Sequence, residues 1–282
     1  MAAAIEGYAS VTSAGPGDTV DFHVRAQAGR EAFSLSIYRR GLNDTLVHSA
    51  SGTAFTPGAQ SDADLAVNGC DWPAVPDCRI AVPNGWKSGY YVAVATSGDA
   101  TAEIPFVVRA PAGGSAPTLV KISDTTSQAY NSWGGRSLYS TPFSPRISFD
   151  RPYDSDLTLY EQYQLPFLRW AETSGRQFDY CSSLDLHQNP QQLAPYKTFL
   201  SIGHDEYWSL EERDQVEAFI AAGGNACFFS ANTCFWQIRL DFSDGGRIMV
   251  CYKEAESGHP ADPERDDAAR VTTEWSAAPV SR

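Results

Sequence analysis

The densest cluster of polar residues in the sequence is the turn at residues 204–208, which reads His-Asp-Glu-Tyr-Trp. It lies between a predicted buried strand at residues 198–202 and a helix predicted to begin at Ser209. Backbone N–H groups and the helix dipole converge at such a position, so the turn is suited to hold a metal ion or an oxyanion. The alternative is that Asp205 and Glu206 only place favourable charge at the helix N-terminus, while the two aromatic residues pack.

Other catalytic motifs are missing from the sequence. It contains no Gly-x-Ser-x-Gly, which disfavours an ordinary serine hydrolase. The turn at residues 204–208 contains no cysteine, so the nucleophile of a glutamine-amidotransferase-like enzyme is lacking where this architecture would place it. No Gly-x-Gly-x-x-Gly and no Walker loop indicates a nucleotide cofactor.

The composition narrows the class of partner. Of the 282 residues, 21 are basic and 34 are acidic, which gives a formal net charge of -13. Phosphate backbones and anionic membranes bind clustered lysine and arginine, so we expect neither a nucleic acid nor a membrane as partner. A small neutral substrate is compatible with the acidic surface. The N-terminus lacks the basic and apolar segments of a secretory leader, and no apolar run has membrane-spanning length, so we expect a cytoplasmic protein.

Two regions of different pattern must position the turn. Through residue 110, apolar and polar residues alternate between turn signals, as at residues 33–37, which predicts an immunoglobulin-like β-sandwich. Residues 111–117 are small or proline and form the predicted linker. In residues 118–282, predicted strands alternate with helices, which indicates a flavodoxin- or amidotransferase-like α/β domain with a mostly parallel sheet.

Ligands bind open α/β sheets at the carboxyl ends of the strands. This rule brings a predicted loop at residues 124–135, the turn at 204–208 and residues 230–233 to one edge. Ser209 and Glu212 have capping-box spacing, with Ser209 as N-cap and Glu212 predicted to reach back to it.

Several long runs resemble the large (β) subunit of N,N-dimethylformamidase and its relatives. They are SQAYNSWGGRSLY (127–139), FDRPY (149–153), GHDEYWS (203–209), GGN (223–225), FFSAN (228–232) and MVCYK (249–253). The resemblance covers most of the second region, and residues 83–91 and 105–109 look like the domain that precedes it in the family.

The resemblance implies a hydrolase that cleaves a small amide, such as N,N-dimethylformamide, to formate and an amine. It implies a mononuclear iron held by two tyrosines and one glutamate, and anionic oxygen ligands of this kind suit Fe(III). The ion would act as a Lewis acid on the carbonyl or lower the pKa of a bound water. The family enzyme also has a small subunit, so a small subunit or further copies of the chain are open as partners.

Five residues are candidates on this basis. Tyr207 is the first choice for a tyrosine ligand because it lies in the family-like turn. Tyr163, just ahead of a helix predicted at residues 166–173, is the choice for the second, and an ordinary aromatic contact is its alternative role. His204 and Glu206 are candidates for positioning water or moving protons. Asn232 is a candidate hydrogen-bond donor to a developing oxyanion.

Some assignments stay open at this stage. Tyr160 and Tyr180 are alternatives to Tyr163 as the second tyrosine ligand. The family domain runs on beyond Arg282, so the α/β domain is expected to be truncated and the glutamate ligand to lie past that point, with Glu274 as a stand-in.

A non-catalytic protein is the competing hypothesis. The chain would then keep the same fold as a carbohydrate-binding or scaffolding module for a protein partner. Trp72, Trp86 and Trp133, expected to be exposed, would serve as its stacking platforms.

Overall fold

The computed structural model describes residues 5–26, 31–56, 58, 60–154, 159–243 and 246–280. The fold is mixed α/β and rich in strands. The strands of the N-terminal region are β1 (Ile5–Ala9), β2 (Ser13–Ala14), β3 (Thr19–Val20), β4 (Phe22–Ala26), β5 (Ala32–Arg39), β6 (Thr45–Thr53), β7 (Ile80–Ala81), β8 (Gly89–Ser97) and β9 (Ala100–Val108). Helix α1 (Asp62–Asn68) and a 3-10 turn at Pro76–Cys78 connect β6 to β7.

The N-terminal strands pack around one apolar core. A five-stranded sheet has the order β2-β9-β8-β5-β6, and β1-β4 and β3-β7 form separate pairs. Phe33, Leu35 and Ile37 are buried on β5, as the alternating pattern predicts. They pack with Phe22 of β4 and Ile104 of β9, so strands of different sheets share the core. The immunoglobulin-like assignment and the domain boundary stay predictions.

The second region contains two four-stranded sheets. Its strands are β10 (Thr118–Ile122), β11 (Arg146–Ser148), β12 (Asp179–Ser182), β13 (Thr198–His204), β14 (Tyr207–Ser209), β15 (Asn225–Ala231), β16 (Trp236–Asp241) and β17 (Ile248–Val250). Its helices are α2 (Asp124–Tyr130), α3 (Leu165–Thr173), α4 (Ser183–Gln188) and α5 (Leu210–Ala221), with a 3-10 turn at Trp133–Gly135 and a π-helical turn at Tyr160–Gln164.

The first of these sheets is parallel, as predicted. Its order is β12-β10-β13-β15, and all three pairings are parallel. Helices α3 and α5 connect strands of this sheet along the chain, which is how parallel neighbours are joined. The flavodoxin-like assignment is not established by this order and stays a prediction.

The second sheet, β11-β17-β16-β14, is absent from the sequence-based description. Strands β17 and β16 pair antiparallel, whereas β16 and β14 pair parallel. Strands β11, β14 and β17 are three residues long, too short for an alternating pattern to show. This sheet carries Tyr207 and Trp236 to one core.

Two predictions of local structure are wrong. Residues 124–135 contain α2 and a 3-10 turn, where a loop was expected. Ser209 does cap α5, because its hydroxyl accepts the Glu212 N–H at 3.2 Å. The Glu212 carboxylate, however, does not complete a capping box: it pairs with Lys121, and its other oxygen has no partner among the described residues.

Lys121 connects the parallel sheet to the turn at residues 204–208. Its ammonium lies 2.8 Å from the Asp205 carboxylate, contacts Glu212, and sits 3.7 Å from the Trp208 ring centroid. The side chains of all three charged residues are 0% exposed. A buried cation between two carboxylates fixes the position of the turn relative to β10 and α5.

None of the helices in the described ranges is long and apolar enough to cross a membrane.

Candidate active site

Glu206 lies in the turn that follows β13, at the carboxyl edge of the parallel sheet. The preceding Gly203 has φ +80, and a Cβ there would lie 3.1 Å from side-chain atoms of Tyr163 and Gln164. Glycine is therefore needed both for the left-handed backbone and for the close approach. The Glu206 N–H donates to the Thr126 hydroxyl of α2 at 2.9 Å, which joins the ends of β13 and β10.

The Glu206 carboxylate is surrounded by hydrogen-bonding groups. Oε2 accepts from the Tyr130 hydroxyl at 2.9 Å and lies 3.0 Å from His204 Nε2. Oε1 accepts from the Tyr139 hydroxyl and from Trp236 Nε1, each at 3.1 Å. Burial acts to raise the pKa of Glu206, but the hydrogen bonds from His204, Tyr130 and Tyr139 outweigh it and hold this pKa below its usual range. The carboxylate is thus a buried anion at neutral pH.

Two tyrosine hydroxyls, those of Tyr130 and Tyr139, bond this anion, and the Tyr207 hydroxyl bonds that of Tyr139. The rings of Tyr130 and Tyr139 stack with centroids 4.2 Å apart, and Tyr207 donates to the Tyr139 hydroxyl at 2.7 Å. Burial raises the pKa of Tyr130 to about 12 and that of Tyr139 and Tyr207 further. Because each of these pKa values lies far above 7, all three phenols keep their protons at neutral pH in the metal-free protein.

One cation faces the phenols. Lys253 Nζ lies 3.7 Å from the Tyr139 ring centroid and 5.3 Å from that of Trp236. Lys253 is buried and has φ 53, a backbone conformation uncommon for a lysine. The contact is of the cation–π type, and it brings a positive charge to the cluster from the segment that follows β17.

The chemistry of these donors fits a hard metal ion. The described residues contain no group of three or more His, Cys, Asp or Glu side chains that could hold a metal. The cluster instead offers a carboxylate and phenol oxygens, which are the donors that Fe(III) prefers. Glu206, Tyr130 and Tyr139 are the residues that could hold such an ion together, since both phenols already bond the two oxygens of one carboxylate.

The structure brings three of the five candidate residues together. His204, Glu206 and Tyr207 all belong to the cluster. Tyr163 lies at its rim: the residue is 44% exposed, its ring centroid is 5.9 Å from that of His204, and no described hydrogen bond joins it to Glu206. Asn232 is exposed at the end of β15, in a left-handed conformation with φ 49, without a described hydrogen bond to the cluster.

The other residues named as alternatives lie elsewhere. Tyr160 stacks on Tyr90 with ring centroids 3.9 Å apart, and Tyr180 is buried in the same apolar core. Glu274 forms an isolated bridge with Trp236 through the backbone, and its carboxylate accepts from the Ser276 hydroxyl at 3.4 Å. None of the three contacts Glu206 through a described hydrogen bond.

Sequence reasoning missed Tyr130, Tyr139, Trp236 and Lys253. Both tyrosines stand in the run SQAYNSWGGRSLY, which carried the resemblance, so that run held the signal. A loop prediction for residues 124–135 gives Tyr130 no defined position at the sheet edge. Tyr130 is the last residue of α2, a short helix that begins at the carboxyl edge of β10.

The expected exposure of the tryptophans is wrong. Trp72 and Trp133 are each only 6% exposed, and Trp86 is partly buried. Arg25 packs over the rings of Trp72 and Trp133, at 4.5 and 5.2 Å from their centroids. Buried rings cannot serve as stacking platforms for a carbohydrate.

Fold and site together define a strand-rich α/β protein with a carboxylate–phenol cluster at the carboxyl edge of a parallel sheet. Residues 32–282 match the family model described as N,N-dimethylformamidase beta subunit-like, C-terminal, and the chain belongs to this family. A relative, the N,N-dimethylformamidase beta subunit of Paracoccus aminophilus, is 24% identical over 218 residues, which cover 61% of this chain. The matched part spans 28% of the length of that relative.

Proposed function

We propose that this chain carries an iron-dependent site that hydrolyses the C–N bond of a small neutral amide, such as N,N-dimethylformamide, to formate and an amine. The observation that carries the proposal is the convergence of the Tyr130 and Tyr139 hydroxyls on the Glu206 carboxylate. Membership in the dimethylformamidase-like family supports amide hydrolysis as the reaction class. The relative's name supports the particular substrate.

We assign Glu206, Tyr130 and Tyr139 as the residues that would hold Fe(III). Tyr207 then supports Tyr139 through the 2.7 Å hydrogen bond between their hydroxyls, and it is the alternative ligand if Tyr139 is not one. Tyr163 is the weaker candidate because it is partly exposed and no described hydrogen bond joins it to Glu206. When bound, Fe(III) supplies a Lewis acid that draws electron density from the amide carbonyl.

His204 is the residue best placed to move protons. Its Nε2 lies 3.0 Å from the Glu206 carboxylate, which orients the ring. Its side chain is also 14% exposed, so the ring remains in contact with solvent. Water adds its oxygen to the carbonyl carbon and gives up a proton, and the C–N bond breaks as the nitrogen takes a proton. His204 would carry that proton between the two atoms, with Glu206 fixing the orientation of the ring.

Asn232 is proposed as a hydrogen-bond donor to the oxyanion. The Asp205 N–H donates to the carbonyl of Ala231, the neighbour of Asn232, at 3.2 Å. The end of β15 and the turn at residues 204–208 therefore share one rim. An amide N–H from this rim would stabilise negative charge on the former carbonyl oxygen.

The relative is named as a beta subunit, which supports a further proposal about assembly. We propose that the chain works together with a smaller subunit or with further copies of itself. Native mass spectrometry of the protein purified with its neighbouring gene products would measure this directly. A chain that stays monomeric and alone under all these conditions would contradict it.

The main experiment measures iron and formate on the same preparation. Protein reconstituted with ferric iron should retain about one iron per chain, develop a visible phenolate-to-iron absorption band, and release formate from N,N-dimethylformamide. Glu206→Gln should lose all three, whereas Asp64→Asn, an exposed carboxylate on α1, should lose none. Reconstituted protein that stays colourless and iron-free would overturn the proposal.

A further inference from the structure

A partly open cavity lies between the N-terminal strands and the α/β region. Its volume is about 310 Å³, at the lower end of the range for sites that bind small molecules. Strands β1, β8 and β9 line one side, and α2 and the π-helical turn line the other. Tyr130 lines the cavity and also donates to Glu206, so the cavity borders the proposed active site.

Aromatic side chains make up much of the wall. Tyr90 and Tyr160 stack at 3.9 Å and present one surface, and Phe106, Tyr130 and Tyr153 contribute others. Flat aromatic walls favour a flat aromatic guest through offset or edge-to-face packing.

Four polar atoms of the wall residues have no hydrogen-bond partner among the described residues. They are Asp124 Oδ2, Gln164 Oε1, the Tyr160 hydroxyl and Arg247 Nη1. A buried polar group without a partner costs roughly 1–3 kcal/mol, so four around one cavity require an explanation. The side chains that carry these atoms line the cavity, so a guest meets them there after small side-chain adjustments of the kind common at binding sites.

The hydrogen-bonding character of these atoms, donor or acceptor, indicates the chemical class of the guest. Asp124 Oδ2 and Gln164 Oε1 accept hydrogen bonds, Arg247 Nη1 donates, and the Tyr160 hydroxyl does either. Burial raises the pKa of Asp124 to about 6, so its carboxylate is ionised at pH 8. A primary carboxamide supplies the complement, since it has two N–H donors and one carbonyl acceptor.

We propose that this cavity binds a small aryl carboxamide, with the ring among the tyrosines and the amide group between Asp124, Gln164 and Arg247. The proposal rests on the proposed function in that it names the class of amide presented to the Glu206 cluster. Binding itself requires neither iron nor Glu206. It can therefore be tested separately from hydrolysis.

Benzamide is the probe, titrated by calorimetry into the full chain without added iron at pH 8. We expect a dissociation constant between about 10 µM and 1 mM for a molecule of this size. Benzoate, which lacks the N–H donors, and toluene, which lacks the polar group, should bind at least about tenfold more weakly.

Three variants locate the site. Asp124→Asn keeps an oxygen for the Ser183 N–H, which Asp124 Oδ1 accepts at 2.6 Å, but removes the charge; it should weaken benzamide binding about tenfold. Ser127→Leu on α2 fills part of the cavity and should abolish binding. Tyr160→Phe tests the wall without touching α2, and Asp64→Asn is the matched surface control.

The outcomes separate the two proposals. Binding that Ser127→Leu abolishes and Asp64→Asn leaves intact supports the cavity, even if no formate is ever released from an amide. Hydrolysis of N,N-dimethylformamide without benzamide binding would overturn the cavity proposal and leave the iron site standing. Benzamide binding that survives Ser127→Leu would also overturn it, because the site would lie elsewhere.

Discussion

Tyr130 and Glu206 are 76 residues apart in the sequence, yet the phenol hydroxyl donates to the carboxylate at 2.9 Å. Two parallel neighbours, β10 and β13, bring them together, because α2 and the turn at residues 204–208 leave the same edge of the sheet. The Thr126 hydroxyl fixes the distance from the α2 side by accepting the Glu206 N–H. The predictions below follow from this contact and from the packing that supports it.

Single tyrosine-to-phenylalanine changes should rank the phenols as iron ligands. Tyr139→Phe and Tyr130→Phe should each lose the visible absorption band of iron-reconstituted protein, because each removes an oxygen bonded to Glu206. Tyr207→Phe should keep the iron but shift the band, because it only removes a hydrogen bond to Tyr139. Tyr163→Phe should leave the band unchanged, because no described hydrogen bond joins Tyr163 to Glu206. A colourless Tyr207→Phe beside a coloured Tyr139→Phe would make Tyr207 the ligand instead.

The contribution of Glu206 to the stability of the metal-free protein should be lost in acid. The folded pKa of this carboxyl is lowered below 4.5, so its contribution to stability is fully present above that value and is lost as pH falls through the lower, folded pKa. Glu206→Gln should therefore be less stable than the parent protein at pH 7, with the difference shrinking toward pH 3. Urea denaturation at several pH values measures it. A difference that grows in acid would contradict the hydrogen-bonded anion.

Removing the buried ammonium at Lys121 should be costly. Lys121→Met leaves Asp205 and Glu212 buried without their cation and should reduce the free energy of unfolding by roughly 3–5 kcal/mol. Exposed Lys197→Met is the matched control and should change it by less than about 0.5 kcal/mol. Chemical denaturation provides both values. Equal stability of the two variants would show that the buried triad does not hold the turn.

Glu212 should behave as the neutral member of that triad. Burial raises its pKa to about 8, so near pH 7 it carries a proton for much of the time. Glu212→Gln resembles the protonated form and should cost less stability at pH 7 than Asp205→Asn, whose parent residue pairs with Lys121 at 2.8 Å. Thermal unfolding of the two variants gives the order. The reverse order would place the negative charge on Glu212.

Gly134 and Gly135 form a matched pair, since both have φ +70. A Cβ on Gly134 would overlap the Asp62 carbonyl oxygen of α1, whereas a Cβ on Gly135 would meet nothing within 4 Å. Gly135→Ala should cost only the left-handed strain, roughly 1–2 kcal/mol. Gly134→Ala should cost clearly more, because α1 must also move. Similar melting temperatures for the two variants would argue against tight packing of α1 on this turn.

The sequence by itself determined much of the architecture. Alternation at residues 33–37 indicates β5, and the predicted buried strand at residues 198–202 corresponds to β13, a central strand of the parallel sheet. It also singled out the turn at residues 204–208, because a polar run between a buried strand and a helix start is unusual. These features are local, so periodicity and end signals are enough to reveal them.

Only the tertiary structure decided which side chains meet at the turn. Glu212 has capping-box spacing, yet its carboxyl group accepts a hydrogen bond from the buried ammonium of Lys121, which is 91 residues away in the sequence. Tyr139 reaches Glu206 from a segment with no period, and Tyr163, adjacent to a well-marked helix, stays partly exposed. Which phenols surround a carboxylate depends on the pairing of distant strands and on burial, and neither quantity is encoded in the spacing of nearby residues.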